Sequence, residues 1–438
     1  MTENPLLEVE DLEKHYPITE GLLRRQVGTV RAVDGVSFAV QPGEAFGLVG
    51  ESGCGKSTTA HSLLRLEEPT GGDVLFDGED ILAYGTDELR RFRRRTQLVL
   101  QDPNSAFNPR QTVGDAVVEP LRVHGLDDAD TRRRVVADAL ERVGLDGADA
   151  DSYPHEFSGG EKQRISIARA LVLNPDLIVA DEPVSALDGR TKADVLDLLD
   201  DLQDEFGLSV LLISHDIDMV RRFCDRIGVM YLGQIVEQGP TADVIENPLH
   251  PYTQMLISSV PSLDPHAAPA AVETPSDELP DASDVPSGCR FHPRCPAIIP
   301  PADVELPREQ WLDVVSLRFY LENDWADARS ARQSLRVRPT TGDSPTDSAG
   351  EIRAAFDLPA RLPDDAVEAA VTESIAALED GDLDAAREHI GETVTSVCER
   401  DSPALGDEHA DRPIACHRYD PDKPGDRETG IEHTIGGD

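Results

Sequence analysis

Basic residues are scarce in this chain. Its 438 residues include 41 Lys and Arg against 84 Asp and Glu, a formal net charge of -43. A phosphate backbone would be repelled by that balance, which argues against nucleic acid as a direct partner. In dilute salt such a surface also repels itself, whereas at molar salt the Debye length shrinks to roughly 3 Å and the repulsion largely disappears. The composition therefore suits a high-salt cytoplasm, the more so because acidic residues run through the segments that read as ordered. Long apolar runs are missing: no stretch of about 18 apolar residues could span a bilayer. Residues 1–10 lack the basic and apolar regions of a signal peptide. The chain is expected to be soluble and intracellular. Cysteine is also sparse, and six residues without an export signal do not make a disulfide framework. No internal repeat is present.

What the chain does contain is Gly50-Glu51-Ser52-Gly53-Cys54-Gly55-Lys56-Ser57-Thr58, preceded by an apolar run at 45–49 and followed by a helical pattern at 59–66. Strand, glycine-rich loop and helix in that order form a phosphate loop. The glycines let backbone N–H groups turn toward a β-phosphate, the helix start adds partial positive charge, Lys56 reaches the β/γ oxygens and Ser57 places its hydroxyl on Mg2+. A ligand-free turn would need neither the lysine nor the hydroxyl. Further strands are predicted at 6–9, 36–40, 73–76, 98–100, 177–180, 210–213, 227–231 and 234–237. Helices are predicted at 112–143, broken near His124-Gly125, and at 159–173 and 191–206. The alternation of strands and helices, with polar residues at strand C-terminal ends, predicts a P-loop α/β fold.

The first domain is assigned to residues 1–260, with a helical subdomain at about 101–160. Residues 261–288, rich in Pro, Ala, Asp and Ser, read as a linker. Residues 289–438 form a cysteine-containing extension with a mostly helical insertion at about 300–395. That insertion carries one helical pattern around Trp311 and Trp325 and another with Val367, Val371, Ile375 and Leu378 on one face. Residues 335–352 between them look unstructured.

A phosphate loop that hydrolyses nucleotide needs a second carboxylate site. Asp181 ends the strand predicted beside the loop and suits a water-mediated Mg2+ contact, and Glu182 suits the general base that polarises the attacking water. An Asp-Glu pair alone would be only a solvated strand end. Gln101 can bridge Mg2+ and water, and His215 can donate to a γ-phosphate, although a lone histidine more often caps or packs.

Together, the 50–57 loop, Gln101, Ser158-Gly159-Gly160-Glu161-Lys162-Gln163-Arg164, residues 177–182, Ser185-Ala186-Leu187-Asp188 and His215 resemble the ATP-binding subunit of an ABC transporter, in order and spacing. The resemblance covers about the first 245 residues. It implies ATP and Mg2+ as cofactors, and a signature helix start (Ser158, Gly159, Gly160, Glu161) that caps the γ-phosphate held by the opposite subunit. Asp188 is carried into the nucleotide site with it, and Tyr16 matches the adenine-stacking aromatic. Glu161 stands where the family usually has Gln, a change expected to leave the amide nest intact. The 21–34 segment, Gln101-Asp102-Pro103 through Asn108-Pro109-Arg110, and His250-Pro251-Tyr252-Thr253 are similar to oligopeptide/dipeptide importer ATPases of the F type. That likeness implies a second ATPase subunit, either a D-type chain or a second copy of this one. It also implies two membrane permeases, an extracellular substrate-binding protein, and a position at the cytoplasmic face of the cell membrane. Peptide is the expected cargo, with nickel or sugar as alternatives; a soluble ABC ATPase without a permease is the rival reading.

Related subunits carry a four-cysteine tail, some with a 4Fe-4S cluster, and Cys289, Cys295, Cys398 and Cys416 fit that pattern. About a hundred residues separate Cys295 from Cys398, far more than is usual. An iron–sulfur cluster, Zn2+ and unligated thiols all remain open. Cys54 and Cys224 read as packing residues.

Overall fold

The computed structural model describes residues 4–21, 25–102, 107–185, 187–259, 275, 280, 282–323, 325, 327–335, 348–406 and 410–423. Two compact units divide it, Met1–Asn247 and Pro248–Asp438. Most of the predicted linker, Pro103 and Ala186 lie outside the described residues.

The strands of the first unit are β1 (Leu7–Glu20), β2 (Arg25–Val40), β3 (Ala45–Val49), β4 (Gly71–Phe76), β5 (Glu79–Asp80), β6 (Thr96–Val99), β7 (Leu177–Asp181), β8 (Ser209–Ser214), β9 (Arg226–Tyr231) and β10 (Gln234–Pro240). They form an antiparallel sheet ordered β2-β1-β4-β5 and a six-stranded sheet ordered β10-β9-β3-β8-β7-β6. In the second sheet β9, β3, β8, β7 and β6 run parallel and only β10 is antiparallel. Every residue of β3, β7 and β8 is buried, which is why these strands read as unbroken apolar runs. Parallel strands bring their C-terminal ends to one edge, and the register pairs Val49 with Ser214, Asp181 with Ile213 and Val99 with Ala180. The residues just beyond those positions, predicted to carry the chemistry, are thereby gathered along that edge.

Two helices, Val113–Val123 and Ala129–Arg142, form the insert between β6 and β7, with the predicted break at His124 as a C-cap. The first of them contains Pro120 yet continues for another turn. The helix Gly189–Phe206 starts on the Asp188 side chain and ends at left-handed Gly207, the usual donor-side and carbonyl-side stops. β1 and β2 are far longer than the predicted 6–9 and 36–40. Their added halves are mostly exposed or half-buried, so they lack the apolar alternation that announces a strand. Bulges interrupt their pairing, one of them at Asp11, whose φ is 46°.

The second unit contains the helices Pro251–Ser258, Arg308–Glu322, Ala328–Leu335, Ser348–Ala355, Asp365–Asp380, Leu383–Thr393 and Val397–Arg400. Asp365–Asp380 buries Val367, Val371, Ile375 and Leu378 as predicted and stops at left-handed Gly381. Asp382 then caps Leu383–Thr393, and Ser374 Oγ donates to Ala386 O at 2.7 Å across the helical hairpin. The expectation that 335–352 is unstructured is corrected at its end, where Ser348–Ala355 is helical; its one buried side chain, Ile352, gives almost no periodicity to read. Trp311 is 1 % exposed and its Nε1 donates to Ile298 O at 3.0 Å, seating Arg308–Glu322 on the chain that follows Cys295. Among the described residues no helix is long and apolar enough to cross a membrane.

Candidate functional site

The phosphate loop leaves β3 through glycines that tolerate no side chain. Gly50 has φ 159° and Gly55 φ 109°, and a Cβ would come 2.1 Å from Met230 O at the first and 2.0 Å from Ala32 O at the second. The close approach of backbone to backbone, rather than turn preference alone, requires glycine there. Gly53 is also left-handed, while Glu51, Ser52 and Thr58 complete the loop and the first turn of the following helix, Lys56–Leu63. Lys56 is 5 % exposed, and its Nζ donates to Gly50 O at 2.8 Å and Glu51 O at 2.9 Å, so the ammonium sits inside the loop. Cys54 Sγ lies 3.6 Å from that ammonium; burial pushes the thiol up, consistent with a packing role.

From the loop the polar chain runs to the end of β7. Ser57 Oγ donates to Asp181 Oδ1 at 3.1 Å. Burial raises the pKa of Asp181, against the pull of the Ser57 hydrogen bond. A half-dry carboxylate beside a hydroxyl is a group whose charge a divalent cation would stabilise. The next residue, Glu182, has φ 46°, a left-handed conformation uncommon for a side chain of this kind. Its two oxygens are held from opposite sides: Gln101 Nε2 donates to Oε2 at 2.7 Å, and His215 Nδ1 lies 2.7 Å from Oε1. Gln101 and His215, just past β6 and β8, thus meet on the carboxylate of Glu182 just past β7. Each was legible singly as a strand-end polar group; their mutual hydrogen bonds were not.

Ser158, Gly159, Gly160 and Glu161 open the helix Gly159–Leu171. Glu161 Oε2 accepts from the Ser158 N–H at 2.8 Å and from the Ser158 hydroxyl at 2.7 Å. These bonds hold the Glu161 carboxyl below its usual range. The expectation that Glu161 leaves the nest intact needs refinement, since its carboxylate engages one amide and the hydroxyl of that helix start. A Cβ on Gly160 would come 2.2 Å from Thr191 Cγ2, and Asp188 accepts from Thr191 N at 3.1 Å and Oγ1 at 2.8 Å. Gly160 therefore lets the Asp188 turn pack against the signature helix, a role for Thr191 that sequence reading missed. The Tyr16 hydroxyl is bonded to Glu67 and its ring lies 5.0 Å from Lys14 Nζ. Burial first, then Glu67, pushes the Tyr16 phenol to about 12 while the neighbouring Thr58 hydroxyl draws it back. Tyr16 thus stands beside the first turn of the loop helix.

In the second unit Cys295 and Cys398 are buried and Cys289 and Cys416 half-buried. Burial raises the thiols of Cys289 and Cys295, and Cys398 and Cys416 raise each further. Among the described residues no group of three or more His, Cys, Asp and Glu is arranged to hold a metal ion. The metal centre expected from the cysteine pattern is therefore not formed among the described residues.

These features define a nucleotide-hydrolysing P-loop protein with an α/β core and a helical cysteine-bearing extension. The ABC transporter family matches residues 33–185, and the oligopeptide/dipeptide transporter C-terminal region matches 236–300. A domain of unknown function, DUF8228, matches 308–411. The chain is 48 % identical over 304 residues to the oligopeptide transport ATP-binding protein AppF of Bacillus subtilis, covering 69 % of this chain and 92 % of that one. It is also 48 % identical to the probable peptide ABC transporter ATP-binding protein y4tS of Sinorhizobium fredii, over 69 % of this chain and 85 % of the relative. Among solved structures, the dimeric ATP-binding cassette MJ0796 with ADP and Pi is 31 % identical, covering 54 % of this chain and 98 % of that one, with a TM-score of 0.48. The chain belongs to the ABC transporter family, among the ATP-binding proteins of oligopeptide and peptide transporters, and is an ATPase.

Proposed function

We propose that the chain powers peptide import, hydrolysing ATP at the cytoplasmic face of the cell membrane while two permease subunits carry the solute. The carboxylate of Glu182, fixed between Gln101 and His215, is the observation that carries this reading. In it the 50–58 loop would cradle the β-phosphate, Lys56 would turn from its two carbonyls toward the β/γ oxygens, and Ser57, Gln101 and Asp181 would hold Mg2+. That ion would neutralise charge on the β/γ oxygens. Glu182 accepts a proton from water as the water oxygen bonds to the γ-phosphorus and the bond to the β-bridging oxygen breaks. His215 and Gln101 keep the base pointed at that water. Tyr16 stacks on adenine after leaving Glu67. Ser158, Gly159, Gly160 and Glu161, with Asp188, complete the pocket of a second ATPase subunit, either a D-type chain or another copy of this one.

Peptide as cargo rests on the match to the oligopeptide/dipeptide region and on the relatives named for peptide transport. The test is uptake of labelled di- and oligopeptides by cells lacking the chain. Wild-type protein should restore uptake and Glu182→Gln should not; uptake that is unaffected by loss of the chain would overturn the peptide reading.

Cys289, Cys295, Cys398 and Cys416 are read as a four-thiol site for an iron–sulfur cluster, with Zn2+ as the alternative; either would bind the thiolates. Anaerobically purified protein would then be brown, with broad absorption near roughly 400 nm, as thiolate-bound iron is. The -43 charge supports a protein adapted to high salt. Lowering salt from molar to about 0.1 M should lower its melting temperature through unscreened carboxylates, and an unchanged melting curve would remove that reading.

A further inference from the structure

The domain of unknown function, 308–411, contains Cys398, whereas Cys289 and Cys295 precede it and Cys416 follows it. Bringing these segments together takes a specific junction. Cys289 N donates to Cys398 O at 2.7 Å and Ser287 Oγ to Glu399 O at 2.9 Å. Between them Gly288 has φ 63°, and a Cβ there would come 2.4 Å from Cys398 O, so the two backbones meet where only glycine fits. The other side of the Cys398 turn is held by a charge. Arg318, 6 % exposed in the helix Arg308–Glu322, donates from Nη1 to Glu399 Oε1 at 2.8 Å and from Nη2 to Oε2 at 2.5 Å. The same Nη1 reaches Val394 O at 2.8 Å, while Nε reaches Glu322 Oε1 at 2.9 Å. Glu399 Oε1 in turn accepts the Ser396 N–H at 2.7 Å, closing the start of the four-residue helix that carries Cys398. A planar two-armed donor on a buried carboxylate fixes position and orientation together, which a single contact does not.

We propose that the 308–411 domain is the scaffold of the cysteine site and that Arg318 is its positioning residue, holding the Cys398 turn against the Cys289 loop. This gives a role to a domain that has none assigned and explains how a hundred-residue insertion is accommodated between the second and third cysteines: the insertion returns the chain to its own starting point. The proposal rests on the four-thiol reading above for its purpose, but not for its geometry.

The test uses the full chain, reduced and stripped of metal with a chelator, with N-ethylmaleimide labelling of each cysteine followed by peptide mass spectrometry. Arg318→Met should raise the labelling rate of Cys398 about ten-fold or more by freeing the turn to open locally. The comparison is Leu378→Ala, which loosens the same unit from inside the helix Asp365–Asp380 without touching the junction, examined in urea at matched stability. Arg318→Lys, which keeps the charge and loses the fork, should fall between wild type and Arg318→Met, and is read in place of Arg318→Met if that variant does not fold. Equal Cys398 labelling in the Arg318 and Leu378 variants at matched stability, or labelling no faster than wild type, would overturn the positioning role. Iron and zinc uptake is measured separately: if the wild type takes up neither, the four-thiol reading fails while the labelling still decides on Arg318. If it takes up either, the Arg318 variant should hold less.

Discussion

The two units use polar groups in opposite ways. In the first, the chemistry-bearing side chains stand at or just past the ends of parallel strands, and their partners are one or two strands away: Gln101 and His215 with Glu182 across adjacent strands, and Ser57 with Asp181 across β8. In the second, the decisive polar contact is sealed inside, between Arg318 and Glu399, which are 81 residues apart. A sheet edge keeps its polar groups ready for a ligand, because the backbone is already satisfied in the ladder and the side chains have no structural duty. A helical insertion has no such edge, so position is set by buried charge, and the same groups carry stability.

That contrast can be broken by substitution. Glu399→Ala should cost the second unit most, about 3 kcal/mol, because Arg318 is left buried with only the partly exposed Glu322 as a carboxylate partner. Both tryptophans, Trp311 and Trp325, belong to that unit, so urea unfolding followed by tryptophan fluorescence reads it directly. A loss under about 1 kcal/mol would mean that the pair is not holding the turn. Ser158→Ala should cost about 1 kcal/mol at one helix start, since it removes the cap on the Glu161 N–H and the hydroxyl's bond to the Glu161 carboxylate. Hydrogen exchange at the Glu161 amide should speed up while the rest of the helix Gly159–Leu171 stays protected. Smallest, and opposite in sign, is Asp181→Asn without nucleotide. Burial raises the Asp181 pKa in the fold, so the folded chain holds that proton more tightly than the unfolded one. Stability from this group is present at low pH and is lost as pH rises through the folded value. At neutral pH the amide should therefore raise the melting temperature slightly while weakening the gain that ATP with Mg2+ brings. A lowered melting temperature in nucleotide-free protein would contradict the burial account.

Much of the first unit was legible because its signals are local. The 50–58 loop and the Asp181-Glu182 pair are contiguous in sequence, and the strand burial that places them leaves apolar runs. What could not be read there has two causes: the outer halves of β1 and β2 pair locally but through mostly polar residues, and the bracketing of Glu182 by Gln101 and His215 joins residues far apart in the chain. Glu161 is a departure from the family pattern, and together with Ser158 it forms a Ser-x-x-Glu capping box at that helix start. In the second unit, the amphipathic stripe of Asp365–Asp380 was visible, whereas Ser348–Ala355 buries one side chain and leaves no stripe. The cysteine count was plain, yet neither the junction at Gly288 nor the arginine behind Glu399 has a sequence signature, since both exist only once the insertion has folded back.

The central claim is that the strand ends of the six-stranded sheet form an ATP-hydrolysing site with Glu182 as its base. Equilibrium ATP–Mg2+ binding and steady-state hydrolysis, measured side by side on purified wild-type and Glu182→Gln protein, test it most directly. The variant should bind ATP as tightly as wild type while its turnover falls by about two orders of magnitude or more. Near-normal hydrolysis by the variant, or wild-type protein that binds no ATP, would contradict it.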